Sequence, residues 1–306
     1  MTNDSNPAPG TCRLPDGTHL PRLGLGTWRM GEQRAAQARE VAAVREAIAL
    51  GYRLIDTAEM YGEGGAERVV GEAVAGAIRA GEVRREELCI VSKVYPHHAS
   101  AQGTPAACDR SRARLGLDRI DLYLLHWRGE VPLQETCAAM HALVAAGHIG
   151  RWGVSNFDTD DMDELQALED RMLGAPAPAA AGAGQGRCVL NQVYYSLSSR
   201  GPEFSLLPWL RARSMPLMAY SPIDQGALCA EPALLALARE RGIGAAQLAL
   251  AWVLAQQGVM AIPKAVRPAH LRENLAAAAT VLDVAVLAQL DRFFAPPRRK
   301  APLAVL

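Results

Sequence analysis

Eight short apolar runs recur along the chain, each separated from the next by a stretch with helical periodicity, and this alternation constrains the fold more than any other feature. The runs are LGLGTW (23–28), RLIDT (53–57), LCIVSKV (88–94), IDLYLLHW (120–127), RWGVSNF (151–157), CVLNQVY (188–194), PLMAYSP (216–222) and VMAIPK (259–264). They are continuous rather than alternating, as strands are when both faces of a parallel sheet are covered. Residues 35–50, 65–80 and 132–147 carry apolar stripes at helical spacing, and further helical segments fall near 104–115, 159–172, 231–241, 245–257 and 268–279. Eight such units in series imply a closed (β/α)8 TIM barrel, with a doubly wound sheet as the alternative. At about 150 residues per domain the 306 residues would make two domains, but one barrel uses about 250 or more, so residues 1–306 are read as a single domain. Ahead of the first strand, CRLPDGTHLPRL has a Pro-Asp-Gly turn between two apolar pieces, predicting an N-terminal β-hairpin at the barrel floor. Residues 1–10 and 296–306 are expected to be flexible tails. The low-complexity stretch 173–188 is expected to be a tolerated insertion on the N-terminal face.

Charge narrows the function classes. Thirty-two basic side chains balance 32 acidic ones, so the basic footprint that nucleic acid or an anionic membrane surface demands is missing. The longest apolar segment, AAQLALAWVLA, has the length of a buried helix rather than a membrane span. The N-terminal MTNDSNPAPG has neither a basic region nor an apolar core of an export signal, which predicts a cytoplasmic protein. Six cysteines lie far apart without ligand-like spacing, so free thiols in a reducing compartment are expected, and no metal. The chain holds 29 arginines but three lysines, Lys93, Lys264 and Lys300. A lysine that survives such a bias is a candidate for work that a guanidinium, which never deprotonates, cannot do.

In a barrel of this kind polar groups at the C-terminal ends of the strands converge on one mouth. The second strand ends in Asp56 and its loop supplies Tyr61; the third ends in Lys93 and the fourth in His126. The fifth contributes Ser155 and Asn156, the sixth Gln192, the seventh Tyr220 and Ser221, and the eighth Lys264. Asp, Tyr, Lys and His suffice to polarise a carbonyl and deliver a proton. A phenol with pKa about 10 is a poor acid at neutral pH, but an adjacent ammonium would lower that value, with Asp56 holding Lys93 and His126 orienting the oxygen. Each residue has a plainer role open to it: Asp56 as a helix cap, Tyr61 as a loop anchor, His126 as part of the wall. GLGTWRMG has Arg29 where a dinucleotide-binding glycine fingerprint needs its third glycine, so a Rossmann reading fails. The adjacent His97 and His98 point to opposite sides of an extended chain and make a poor metal pair. A strand-end lysine forming a Schiff base, as in barrel aldolases, is the chemical rival.

At these residues the chain resembles the aldo-keto reductase superfamily. GYRLIDTAEMYGEGGAERVVGEA is followed, in family order, by VSKVYP, LYLLHW, GVSNFD, LNQVYYS, MAYSPI and AIPKAV, and the resemblance runs from about Leu14 to Phe294. It implies a (β/α)8 barrel that binds extended NADP(H) without a Rossmann motif and reduces aldehydes or ketones. The family's catalytic tetrad falls on Asp56, Tyr61, Lys93 and His126, its carboxamide-binding group on Ser155, Asn156 and Gln192, and its ring-stacking aromatic on Tyr220, beside Ser221. Lys264, Arg267, His270, Glu273 and Asn274 fall at the end that receives the cofactor's 2′-phosphate, with Pro268 suited to start a helix there. Trp28 and Trp127 are expected to wall the substrate. The common YGNE is here YGEGG, and Ala265 and His270 replace the serine and arginine of many relatives. The motifs resemble a bacterial branch that includes methylglyoxal reductases, implying NADPH-dependent reduction of small carbonyls such as methylglyoxal, with Tyr61 as proton donor. The alternative is a nucleotide-binding, redox-sensing barrel with little turnover. The partner implied is a small carbonyl compound, with no nucleic acid and no membrane. The oligomeric state is left open, with a monomer as the default expectation.

Overall fold

The computed structural model describes residues 10–174 and 186–306. Eight parallel strands follow one another in chain order around a single sheet: β3 (Leu25–Gly26), β4 (Leu54–Asp56), β5 (Cys89–Val94), β6 (Ile120–Leu125), β7 (Ile149–Ser155), β8 (Cys188–Tyr194), β9 (Leu217–Tyr220) and β10 (Val259–Ala261). Parallel bridges from Leu23 to Ala261 and from Gly26 to Lys264 join the first strand to the last and close the ring. All eight predicted strands are present, most of them shortened at their ends, with β8 at its predicted bounds and β7 starting two residues earlier, and the (β/α)8 barrel is the fold.

Why the runs are continuous is visible in the packing. One face of the strands, with Leu54, Val91, Leu122, Leu124, Leu190 and Met218, fills the barrel interior. The other face, with Ile55, Ile90, Tyr123, Trp152 and Val193, packs under the helices. Each fully buried side chain of this size contributes roughly 1.5–3 kcal/mol, so neither face tolerates a polar residue without a partner. The predicted hairpin forms from β1 (Thr11–Arg13) and β2 (His19–Pro21), paired antiparallel. Its turn is set by Asp16, whose carboxylate accepts the Thr18 amide at 2.9 Å, and by Gly17 at φ 87°. Cys12, Leu14 and Leu20 of the hairpin join the interior cluster and so plug the floor.

The outer layer contains α1 (Gln37–Ala49), α2 (Gly65–Arg79), α3 (Gly103–Leu115), α4 (Leu133–Ala145), α5 (Thr159–Leu173), α6 (Leu206–Ala212), α7 (Pro232–Glu240), α8 (Ala245–Ala255), α9 (Pro268–Ala279) and α10 (Val284–Phe293). The start of α5 is fixed by a capping box, Asp158 accepting from Thr159 at 2.7 Å while Asp161 accepts the Asp158 amide at 3.1 Å. Two helices lay outside the sequence reading. In α6, LLPWLRA is seven residues long with Pro208 in its first turn, where a missing N–H does no harm but the sequence reads as a loop. The other, α10, follows the eighth strand and is capped by Asp283, whose carboxylate accepts the Val286 amide at 2.8 Å. Two helices, α7 and α8, intervene between β9 and β10 where strict alternation has one.

The predicted insertion lies mostly outside the described residues; its flanks, Gly174 and Gly186, connect the end of α5 to the start of β8, on the N-terminal face. Residues 296–306, expected as a tail, lie along the barrel: Leu303 packs on the core, Lys300 meets Asp160 at 3.0 Å, and Val305 and Leu306 reach the mouth. No single described helix is long and apolar enough to cross a membrane. All six cysteines are unpaired thiols.

Candidate active site

A cavity of about 690 Å³ opens at the C-terminal ends of the strands. At its floor, β4 carries Asp56 and β5 carries Lys93, neighbours in the sheet and almost completely buried. The Lys93 ammonium donates to Asp56 Oδ2 at 2.7 Å, to the Thr57 carbonyl at 2.9 Å and to the Tyr61 hydroxyl at 3.1 Å. Burial opposes that ammonium, but Asp56 and Tyr61 beside it carry its pKa above the usual value, so it remains charged. Asp56 keeps its second oxygen for Gln192, whose Nε2 donates at 2.8 Å. Burial pushes the Asp56 carboxyl up, while these two donors pull it back.

Tyr61 differs from the sequence expectation in one respect. Burial raises its phenol above the ordinary value, and the Lys93 ammonium opposes that without reversing it. The physical reason is that desolvation penalises the phenolate more than one ammonium, itself shared with Asp56, can repay. Tyr61 therefore holds its proton at neutral pH. His126 stands edge-on to the Tyr61 ring, centroids 5.7 Å apart, and burial, with a smaller effect of Lys93, holds its pKa well below 6.5. The imidazole is neutral, and among the described residues its buried Nδ1 has no hydrogen-bond partner.

The loop bearing Tyr61 is positioned by the glycines of YGEGG. A Cβ at Gly65 would lie 2.3 Å from the Gly31 carbonyl oxygen, so the start of α2 and the turn after β3 meet backbone to backbone.

Ser155, Asn156, Gln192, Tyr220 and Ser221 all line the cavity. Asn156, held at φ 60°, ties three strands together: its Nδ2 donates to the His126 carbonyl at 3.1 Å, and its Oδ1 accepts from the Tyr220 hydroxyl at 2.9 Å. Ser155 donates to the Gln192 carbonyl at 2.7 Å. Gln192 gives its amide nitrogen to Asp56, which leaves its Oε1 as the atom available to a ligand. The Tyr220 ring stacks on Tyr194 at 5.9 Å on one side. Trp28 and Trp127 also line the cavity, and Trp127 packs on His126 with centroids 4.9 Å apart.

At the other end, Lys264, Arg267, His270, Glu273 and Asn274 line the same cavity. Lys264 and Arg267 are exposed and have no carboxylate partner among the described residues; Arg267 donates to the His270 ring. Arg267 is the N-cap of α9, with Pro268 at its first position as predicted. Of the sixteen predicted residues, Lys93 alone is not on the wall, because it lies beneath Asp56 and Tyr61.

Some of the wall was not foreseen. Gln225 and Gly226, in left-handed backbone after β9, line the cavity, as do Gly244–Ala246 at the start of α8 and the side chains of Arg29, Cys229, Val305 and Leu306. The Asp-Gln-Gly turn signal at 224–226 marks the first group; nothing local marks the rest, which depend on where α8 and the final residues come to lie.

The aldo/keto reductase family model matches residues 22–294. The chain is 47% identical to methylglyoxal reductase YeaE of Escherichia coli (strain K12) over 93% of this chain and 94% of that protein. It is 33% identical to glyoxal reductase of Bacillus subtilis (strain 168), over 86% and 85% of the two chains. Among solved structures, an aldo-keto reductase from Klebsiella pneumoniae in complex with NADPH superposes with a TM-score of 0.87 at 46% identity, covering 98% of this chain and 100% of that one. With the closed barrel, Asp56, Lys93, Tyr61 and His126 gathered at one end of its cavity and this match over most of its length, the chain belongs to the aldo/keto reductase family.

Proposed function

We propose that the protein is an NADPH-dependent reductase of small aldehydes and ketones of the methylglyoxal kind, with Tyr61 as proton donor. The observation that carries this reading is the contact of the Lys93 ammonium with both Asp56 and Tyr61 at one end of a cavity whose other end presents Lys264 and Arg267. The wall also fits an extended dinucleotide: Gly226 and Gly244 line it, and a Cβ added at either meets nothing, so open space is kept where side chains would stand. The relatives named above support the cofactor.

Bound NADPH supplies the hydride that reduces the carbonyl carbon. Ser155, Asn156 and the Gln192 Oε1 would hold its carboxamide, Tyr220 would stack on its ring beside Ser221, and Lys264, Arg267 and His270, with Glu273 and Asn274, would hold the adenosine 2′-phosphate end. Tyr61 transfers its phenolic proton to the carbonyl oxygen, and the phenolate so formed lies 3.1 Å from the Lys93 ammonium, which stabilises it. Asp56 holds that ammonium in place, and Gln192 holds Asp56. Because an orphaned buried N–H is less tolerable than an orphaned acceptor, the neutral His126 carries its proton on Nε2, the nitrogen left to donate to the carbonyl oxygen. Trp28 and Trp127 bound the apolar side of the site. A sensing barrel without turnover would have no use for a proton donor set against a buried ammonium, and a Schiff-base lysine would need a neutral amine where Lys93 is charged.

The test is NADPH consumption by the purified protein with methylglyoxal and a panel of small aldehydes. Turnover with NADPH is the expected result; binding of NADPH without consumption by any carbonyl would overturn the enzymatic reading. Six free thiols fit a reducing, cytoplasmic location, which fractionation of cells would check.

A further inference from the structure

We infer that Arg114, which stands on α3 and does not line the cavity, is a positioning residue for proton transfer, setting the place of Tyr61 against Lys93 through two buried glutamates. The inference rests on the reductase reading above and adds a residue to it. It starts from the helix. Arg110 and Arg114 are one helical turn apart on α3, so they share a face, and their guanidinium groups lie 3.4 and 3.9 Å from Glu59 Oε2. Arg114 also reaches α2, where its Nε donates to Glu67 Oε2. Both glutamates are buried, Glu59 at 5% and Glu67 at 0% exposed. A carboxylate so far from water needs its charge matched. Among the described residues, Arg114 is the cation that the two share.

These glutamates flank Tyr61 along the chain and Lys93 along the sheet. Glu59, two residues before Tyr61, accepts the Tyr95 amide at 2.8 Å, and its own amide donates to the Lys93 carbonyl at 3.3 Å. Glu67, on the first turn of α2, accepts the Ser92 hydroxyl at 2.6 Å. The segment that carries Tyr61 is therefore clipped to β5 on either side of Lys93. Arg114 lies across the clip: a Cβ added at Gly64, which stands between the two glutamates at φ 78°, would be 2.4 Å from its Nε. The place of the arginine is in turn fixed by backbone, since a Cβ at Gly71 would lie 2.6 Å from the Leu115 carbonyl oxygen, so α2 presses on the end of α3.

Without that guanidinium, Glu67 keeps the Ser92 hydroxyl as its side-chain donor among the described residues, and Glu59 keeps Arg110 and His98. A buried carboxylate that has lost its cation is drawn toward water, and the loop between the two glutamates moves with them. The Tyr61 hydroxyl then leaves the Lys93 ammonium, the charge that opposes the upward pull of burial on the phenol and stabilises the phenolate. Asp56, His126 and Tyr220, the other titratable groups that face the phenol, sit on other strands and keep their places. The effect thus falls on proton transfer and spares the end of the cavity that Lys264 and Arg267 form.

The experiment follows reduction of a small aldehyde by NADPH, and oxidation of the matching alcohol by NADP+ as pH is raised, in wild type, Arg114→Met, Arg114→Lys and Arg187→Met. Arg187 is the control: it pairs with Asp170 at 2.8 Å and stands 3.8 Å from buried Glu169, at the N-terminal end of β8. Arg114→Met should lower kcat by about tenfold to a hundredfold while NADPH affinity by titration stays near wild type. Alcohol oxidation, which needs the phenolate, should rise at a pH about one unit higher than in wild type. Arg114→Lys keeps the charge without the forked reach and should recover part of kcat. Arg187→Met should lose stability to urea and keep the wild-type kcat and pH profile. An Arg114→Met variant that behaves as Arg187→Met does would overturn the inference. If Arg114→Met does not fold, Glu59→Gln keeps an acceptor for the Tyr95 amide and removes the charge that Arg114 faces; it should show both changes in smaller measure, and a wild-type kcat and pH profile there would overturn the inference. Amide hydrogen exchange over residues 58–66 does not depend on turnover. If no carbonyl is reduced, the reductase reading fails, while exchange about tenfold faster in Arg114→Met than in Arg187→Met would still uphold the hold on the Tyr61 loop. Equal exchange in the two variants would overturn it.

Discussion

At Tyr61 the local electrostatics can be followed atom by atom. Burial raises the phenol, Lys93 at 3.1 Å opposes it, and the phenol stays protonated until the moment it is needed. Tyr61→Phe should therefore abolish most turnover, by about 10²–10⁴ in kcat, while NADPH affinity by fluorescence titration stays near wild type, since the ring is kept. An equal loss of NADPH affinity would contradict the role. Lys93→Met removes the charge that stabilises the phenolate and leaves Asp56 buried with Gln192 as its remaining side-chain donor. Rate should fall, and stability by urea titration should drop by about 3–5 kcal/mol, the typical effect of orphaning one member of a buried ion pair. A variant with wild-type rate and pH dependence would show that Lys93 is structural. The pH sign follows from the same groups. His126, held well below 6.5 by burial and Lys93, is already neutral on both sides of that value, so the reduction rate should show no inflection there from its titration. The strand-end residues were legible in the sequence because the barrel rule assigns them to one mouth. That Gln192 faces Asp56, and that desolvation outweighs Lys93 at Tyr61, were not, since both depend on distances across strands far apart in the chain.

At the scale of elements, the closest constraint is the backbone contact between the turn after β3 and the start of α2. Gly65→Ala would drive a Cβ to 2.3 Å from the Gly31 oxygen, a backbone atom that cannot swing aside. The Tyr61 loop must shift, and because displacements of about 1 Å at a catalytic group can lower rates about 10²-fold, kcat should fall tenfold or more while the protein remains folded. Unchanged kcat would show that the loop tolerates the displacement. The hairpin makes the converse case. Leu14, 1% exposed, fills the barrel floor, so Leu14→Ala should lower stability by about 2–5 kcal/mol without altering kcat/KM, because the floor is opposite the mouth. Deleting 175–184 should likewise leave kcat/KM for a small aldehyde unchanged, since the flanks of that segment, Gly174 and Gly186, are on the same N-terminal face. A tenfold loss with normal folding would contradict this placement.

At the scale of the whole molecule, the cavity is built from both ends of the sequence, from Gly26 to Leu306. Its far end gathers Lys264 and Arg267 where α9 begins, two cations without carboxylate partners among the described residues, next to the partial positive charge of a helix N-terminus. The protein should therefore prefer NADPH to NADH. Lys264→Ala should weaken NADPH about tenfold, as expected for one charge-assisted bond to phosphate, and NADH little. Equal affinities for the two cofactors in wild type, read by titration, would refute the preference, and unchanged NADPH affinity in the variant would refute the role given to Lys264.

The sequence by itself determined the strand count, the sheet's parallel sense and the hairpin, because hydrophobic periodicity and turn chemistry are local properties that a chain carries without folding. It also determined which side chains meet at the mouth, because strand ends in a closed barrel have one place to go. The tertiary structure alone decided α6 behind its proline, the return of Val305 and Leu306 to the cavity, and the contact of Gly31 with Gly65. These depend on how separate elements share space, and on the balance of desolvation against charge at each buried group, neither of which is encoded in any short stretch of residues.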